Sequence, residues 1–177
     1  MNIIVAVNSD WGIGLNGTQS IVIPEDRRRF KKLTDNGVVI TGRRTFDDFF
    51  GLLPNRKNII LTGDRNYKVI GAVIKHSIDD VLAEIADESS EKVFILGGES
   101  VYKSFLPLCS HAYVTKIEAA PPSDTFFPNL DKLSNWTVVD EGQTYEHKIY
   151  IKTNTDIVRY SFVLYKNNSV YLKGSPA

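Results

Sequence analysis

Between Ile3 and Ile117, continuous apolar runs alternate with segments whose apolar residues recur at helical spacing. Ile3–Val7 is unbroken apolar sequence, the pattern of a strand covered on both faces. From Pro24 to about Asp35 the period becomes helical, with Pro24 suited to a first turn and Gly37 to the stop. Val38-Val39-Ile40 predicts the next buried strand, followed by a short helix over Arg43–Phe50. Lys57–Thr62 and Val69–Ile74 are expected strands. Ser77 caps a helix carrying Ile78, Val81, Leu82 and Ile85 on one face. A strand over Lys92–Leu96, a helix over Gly98–Leu106 and a strand over Ala112–Ile117 follow. Beyond Pro121-Pro122, Trp136–Asp140 and Ile157–Tyr165 read as strands with no long helix between them. The pattern predicts an α/β fold: one mostly parallel sheet, an antiparallel C-terminal edge, and helices on both faces. Residues 1–166 are expected to form one domain, with 167–177 a polar tail or, through Val170-Tyr171-Leu172, an extra edge strand.

Composition narrows the function. The 177 residues are 42% hydrophobic and 24% charged, enough chain for a substantial core. Lys+Arg and Asp+Glu both number 21, so no global field favours nucleic acid or an anionic membrane. Cys109 stands alone, which fits a reducing compartment. Neither a signal sequence nor a spanning apolar run is present, so a soluble cytoplasmic protein is expected.

One residue breaks the helical pattern. Asp26, Phe30 and Leu33 share a stripe of about 100° on the Pro24 helix, while Glu25, Arg28, Arg29, Lys31 and Lys32 point elsewhere. A carboxylate on an apolar stripe is either a dipole-facing acid of the first turn or a functional acid of raised pKa. Two other places, Thr41-Gly42-Arg43-Arg44-Thr45 and Leu96-Gly97-Gly98-Glu99-Ser100, bring a helix start after an apolar strand, the arrangement that binds phosphate. Gly12-Ile13-Gly14-Leu15-Asn16-Gly17 matches the dinucleotide fingerprint in letters only. Helical periodicity does not begin inside it, and the next strand ends at Thr41-Gly42-Arg43 rather than at an acid. A glycine loop able to close over a ligand fits better.

Gly12-Ile13-Gly14, Ile23-Pro24-Glu25-Asp26 with Phe30, Gly42-Arg43-Arg44-Thr45-Phe46, Leu53-Pro54-Asn55-Arg56-Lys57-Asn58, and Leu96-Gly97-Gly98 with Val101-Tyr102 resemble dihydrofolate reductase in order and spacing. The resemblance runs from Ile3 to about Pro128, and more loosely through Trp136 and Tyr160–Tyr165. It implies a single-domain, largely parallel eight-stranded sheet with about four flanking helices. The implied activity is NADPH-dependent reduction of dihydrofolate, by hydride transfer to pterin C6 with protonation at N5. The implied partners are dihydrofolate and antifolate inhibitors, with no nucleic acid and no membrane, and a monomer is expected.

Residue roles follow from the same resemblance. Asp26 matches the acid that hydrogen-bonds the pterin 2-amino group and N3, and Thr115 a threonine bonded to that acid. Ile4, Val5, Phe30, Phe49 and Leu96 match positions lining the pterin and benzoyl pocket, with Tyr102 beside them. Arg56 resembles the arginine that forks onto the substrate's α-carboxylate. On the NADPH side, Gly42, Arg43, Arg44 and Thr45 resemble the phosphate grip. Leu61, Thr62 and Gly63 would flank the adenosine ribose, with Arg65 or His76 as extra cations. Gly97-Gly98 matches a glycine pair that the family holds with a cis peptide, continued by Glu99, Ser100 and Val101. Ala6, Ile13, Gly14, Leu15, Gly17 and Thr18 match the nicotinamide side and its loop. No acid is expected to repel a 2′-phosphate, so NADPH should be preferred over NADH.

The chain departs from that family in three places. Gln19-Ser20-Ile21 replaces the usual Leu-Pro-Trp, so Ile21 keeps apolar bulk but loses an N–H donor to an ordered water. Arg27 stands where an apolar pocket residue is usual and can reach toward the glutamate tail. Thr144–Asp156 is longer than in compact bacterial members. Two other function classes remain open on sequence: reductases of other heterocycles built on the same fold, against which Asp26 speaks, and a non-catalytic role.

Overall fold

In the computed structural model, residues 1–48, 51–151 and 154–170 are described. In chain order the elements are β1 (Asn2–Val7), β2 (Gly12–Gly14), α1 (Pro24–Thr34), β3 (Val38–Gly42), α2 (Arg43–Asp48), β4 (Lys57–Leu61) and β5 (Val73–Lys75). There follow α3 (Ile78–Glu84), β6 (Val93–Gly97), α4 (Glu99–Phe105), β7 (His111–Ile117), β8 (Thr125–Phe126), β9 (Trp136–Glu141), β10 (Tyr145–Ile151) and β11 (Asn154–Asn167). The main sheet runs β10-β11-β7-β1-β6-β3-β4-β5. Every pairing from β7 to β5 is parallel. The strand β11 runs antiparallel to β7, β9 and β10, which forms the expected C-terminal edge. The two strands β9 and β10 pair in succession along β11, so nine strands make a sheet eight positions wide.

The alternation of side chains sorts the apolar strand residues onto two faces. Ile3, Val5 and Val7 join Ile40, Ile59, Ile95 and Phe105 in one core. Ile4, Val39, Phe94 and Leu96 face the other way, against Phe30 and Leu33 of α1. Burying an aliphatic side chain of this kind contributes about 1.5–3 kcal/mol. Because β1, β3, β4 and β6 are parallel, Ala6, Gly42, Leu61 and Gly97 end on one edge of the sheet. Ligands bind outside such an edge in open α/β sheets.

Some expectations shift. The strand expected over Val69–Ile74 is only Val73–Lys75, because Gly71 at φ +87 turns the chain and leaves Ile70 99% exposed. Thr144–Asp156 supplies β10 and the start of β11, a hairpin held by pairing of Tyr145 with Tyr160 and stacking of their rings at 5.5 Å. The segment after β1 pairs as a small second sheet, Gly12 with Phe126 and Gly14 with Thr125. Phe49 and Phe50, and Tyr171 and Leu172 of the expected last strand, lie outside the described residues. Among the described residues no helix is long and apolar enough to cross a membrane.

Candidate active site

A cleft of about 1870 Å³ opens where the parallel strands end. Its volume exceeds that of a typical single-ligand pocket, ~300–1,000 Å³, and leaves room for two ligands side by side. Ile4, Val5 and Ala6 of β1, Asp26, Arg27 and Phe30 of α1, and Leu96 with Gly98–Tyr102 line it.

The acid sits in the first turn of α1, just after the buried Ile23 that leads into the helix. Thr115 on the adjoining β7 is buried, and its Oγ1 donates to Asp26 Oδ1 at 2.6 Å. Burial pushes the Asp26 pKa above the usual carboxylate range, against the opposing pull of the Thr115 bond and of the Arg29 and Arg27 charges. Arg29 was not foreseen in this setting. Its half-buried guanidinium lies 4.5 Å over the Phe162 ring and 5.6 Å over Tyr113, a cation–π environment that lets a charge stay near the acid.

Around the acid the wall is apolar: Ile4, Leu96 and half-buried Phe30 pack in one cluster, with Leu53 as an additional lining residue that sequence reading missed. Tyr102 lines the same region but is buried, its hydroxyl 2.8 Å from Ile4 O and 2.7 Å from Leu96 O. One hydroxyl proton serves one carbonyl at a time, so Tyr102 braces β1 against β6. Arg56 lies beyond the residues that line the cleft. Its Nε donates to Thr34 Oγ1 at 2.8 Å, Nη1 to Pro54 O at 2.5 Å and Nη2 to Lys31 O at 2.9 Å. That leaves one N–H on each terminal nitrogen for a carboxylate. Arg27 is exposed on the cleft wall, and Phe49 falls outside the described residues.

At the opposite end the glycines bring backbone close to backbone. The Gly97–Gly98 peptide is cis, and Gly97 has φ +104. A Cβ at Gly97 would fall 2.6 Å from Tyr102 Cε2, one at Gly98 3.0 Å from Thr45 Oγ1, and one at Gly42 3.1 Å from Val101 Cγ2. Gly42, Arg43, Arg44, Thr45, Leu61, Thr62, Gly63, Ser100 and Val101 all line this part of the cleft. Glu99 does too, but its carboxylate is engaged by Lys103 and by the Phe126 N–H. His76 Nδ1 is 2.7 Å from Thr62 O; a carbonyl only accepts, so Nδ1 carries the proton. Gly97, Leu15 and Arg65 do not line the cleft. An acid absent from the sequence reading also lines the cleft: Asp64, whose Oδ2 pairs with Arg43 Nη1 at 2.9 Å.

The glycine loop is pinned rather than loose. Asn16 N donates to Asp124 Oδ2 at 2.8 Å, Asp124 N to Gly14 O at 3.0 Å, and Leu15 and Thr18 exchange backbone bonds at 2.9 and 3.1 Å. Asn16 (φ 51) and Gly17 (φ 82) form the turn between them. Ile13, Gly14, Gly17 and Thr18 face the cleft. Ile21 packs against Ile23, Ile117 and Tyr160, while its neighbour Val22 lines the cleft.

With this geometry in place, similarity to known proteins is informative. A family model described as dihydrofolate reductase matches residues 1–166. The dihydrofolate reductase of Bacillus subtilis (strain 168) is 32% identical over 164 residues, covering 88% of this chain and 96% of that protein. That of Staphylococcus haemolyticus is 34% identical over 158 residues, covering 85% and 93%. Among solved structures, dihydrofolate reductase from Enterococcus faecalis complexed with NADP(H) and RAB-propyl superposes with a TM-score of 0.78 at 31% identity, covering 94% of this chain and 95% of that one.

Proposed function

The chain belongs to the dihydrofolate reductase family, and we propose that it reduces 7,8-dihydrofolate by hydride transfer to pterin C6, with Asp26 as the pterin-binding acid. The observation that carries this reading is a carboxylate at the apolar end of the cleft, oriented by Thr115 through a 2.6 Å bond. Oδ1 already accepts from Thr115, so Oδ2 and the remaining lone pair on Oδ1 are left for a ligand. The 2-amino group and N3–H of a pterin offer two parallel donors, the partner a carboxylate takes bidentately. Ile4, Phe30 and Leu96 then sandwich the ring and exclude water from that edge. A fixed negative charge there raises the basicity of the pterin and favours protonation at N5. Antifolates carrying a 2,4-diamino edge compete for the same carboxylate.

The other end fits NADPH. Close packing at Gly42 and Gly98 leaves backbone, not side chain, facing a pyrophosphate, with Arg44 and Thr45 beside it, while Arg43 reaches Asp64 toward the adenosine end. Leu61, Thr62, Gly63 and His76, which line the cleft beyond β4, would take the adenosine end, and Ala6, Ile13 and Gly14 the carboxamide. When bound, NADPH supplies the hydride. Arg56, braced across the end of α1, keeps two N–H groups for the substrate's α-carboxylate, and Arg27 extends along the route of the glutamate tail. The test is loss of reduced-nicotinamide absorbance on adding dihydrofolate to protein and NADPH. Dihydrofolate-dependent oxidation is expected; none, with folded protein and bound NADPH, would overturn the reading.

A further inference from the structure

The far wall of the cleft holds an arrangement that hydride transfer itself does not require. After β4 the chain continues along the cleft as Thr62-Gly63-Asp64. Asp64 is held at three points. Its N–H donates to Thr62 Oγ1 at 3.2 Å, its Oδ1 accepts from Asn66 N at 2.9 Å, and its Oδ2 takes Arg43 Nη1 at 2.9 Å. Arg43 in turn lies 5.4 Å over the Tyr67 ring, whose hydroxyl donates to Asp47 Oδ1 at 2.8 Å. The pair is thus fixed in place, yet Arg43 and Asp64 keep side-chain exposures of 41% and 43%, and both line the cleft.

The two residues have opposite preferences. In dinucleotide sites an acid following a strand accepts the ribose 2′-hydroxyl of NADH, whereas a nearby arginine accommodates the 2′-phosphate of NADPH. Here one of each stands at the end of neighbouring parallel strands, and they are bonded to each other. We propose that Asp64 sets cofactor choice. By holding Arg43 it weakens NADPH, whose 2′-phosphate must displace a carboxylate and then sit beside it, and it offers NADH a hydroxyl acceptor. The preference for NADPH is therefore smaller than Arg43 and Arg44 alone would give. This inference rests on the proposed seating of the adenosine end beside Thr62 and Gly63. The space there is open: a Cβ added at Gly63 would meet nothing within 4 Å.

A purely structural role for Asp64, bracing the turn to Asn66, makes a different prediction. Asp64→Asn keeps an acceptor for the Asn66 N–H and nearly the same shape, but removes the charge. Titration of protein fluorescence with NADPH and with NADH, on the native chain and on Asp64→Asn, separates the two roles. Losing a competing exposed ion pair and a like charge beside the phosphate should tighten NADPH by roughly two- to fivefold. NADH should be unchanged or a few-fold weaker. The effect should shrink in an Arg43→Ala background, since the freed arginine is what gains the phosphate. An unchanged ratio of NADPH to NADH affinity in Asp64→Asn would overturn the inference while leaving the proposed reaction intact. Failure of the native protein to bind either cofactor would overturn the seating itself.

Discussion

Thr115→Val removes one proton donor and almost nothing else, since valine matches threonine in shape and Thr115 is 1% exposed. The donor lost is the hydroxyl 2.6 Å from Asp26 Oδ1. A hydrogen bond to a charged group is worth ~1.5–3 kcal/mol, and the lower half applies because Asp26 is only half-buried, on the wall of the cleft. We expect the variant to be less stable than the native protein by ~1.5–2 kcal/mol at neutral pH, a drop in Tm of about 3–8 °C for a chain of this size. The difference depends on pH. The Thr115 bond pulls the Asp26 pKa down against burial, so its stabilisation is present while the carboxylate is ionised and fades as pH falls through the folded pKa. Urea unfolding of both proteins at neutral and acid pH measures this, with NMR titration of Asp26 as a cross-check. The substrate should also bind several-fold more weakly, because the carboxylate is no longer held in one rotamer. A stability difference that stays constant with pH, or one under ~0.5 kcal/mol, would refute the reasoning.

Three further outcomes follow from the geometry. Asp26→Asn should stabilise the ligand-free protein at neutral pH: burial raises the acid's pKa, so native stability is greatest below the unfolded pKa and falls as pH rises through the folded one, and the gap between the two proteins should close in acid. Thermal unfolding against pH checks this. Asp124→Ala removes the acceptor of the Asn16 N–H at 2.8 Å and should slow single-turnover hydride transfer roughly two- to tenfold by opening the loop, with little change in Tm. Gly97→Ala combines φ +104 with a Cβ 2.6 Å from the Tyr102 ring, and should cost about 2–5 kcal/mol in denaturant unfolding.

The apolar runs carried the parallel half of the fold because strands buried on both faces leave a continuous signal, as in Val38-Val39-Ile40 and Ile59-Ile60-Leu61. The hairpin of β10 with β11 left no such signal: Glu146, Lys148 and Arg159 alternate with few buried residues, and cross-strand pairing holds it. Val69–Ile74 looked like a strand because apolar letters do not reveal that Gly71 turns the chain out. Asp26 was legible from its place on a helical stripe, and Thr115 only through family resemblance, since the two are 89 residues apart. Arg43 and Asp64 are 21 residues apart, and their pairing, which depends on the parallel register of β3 and β4, was hidden for the same kind of reason. Arg29 read as a solvated helix charge, yet the rings of Tyr113 and Phe162 hold it close to the acid.

The most direct test of the central claim is steady-state dihydrofolate reduction at neutral pH by the native protein and by Asp26→Asn, with NADPH binding measured on both. An amide keeps the shape and the Thr115 contact but cannot supply the negative charge that holds the pterin and raises its basicity. The native protein should turn over dihydrofolate, and the variant should bind NADPH equally while losing ~100-fold or more in kcat/KM, with partial recovery as the medium is acidified. Native-level turnover by Asp26→Asn at neutral pH would contradict the assignment of Asp26 as the acid on which this reaction depends.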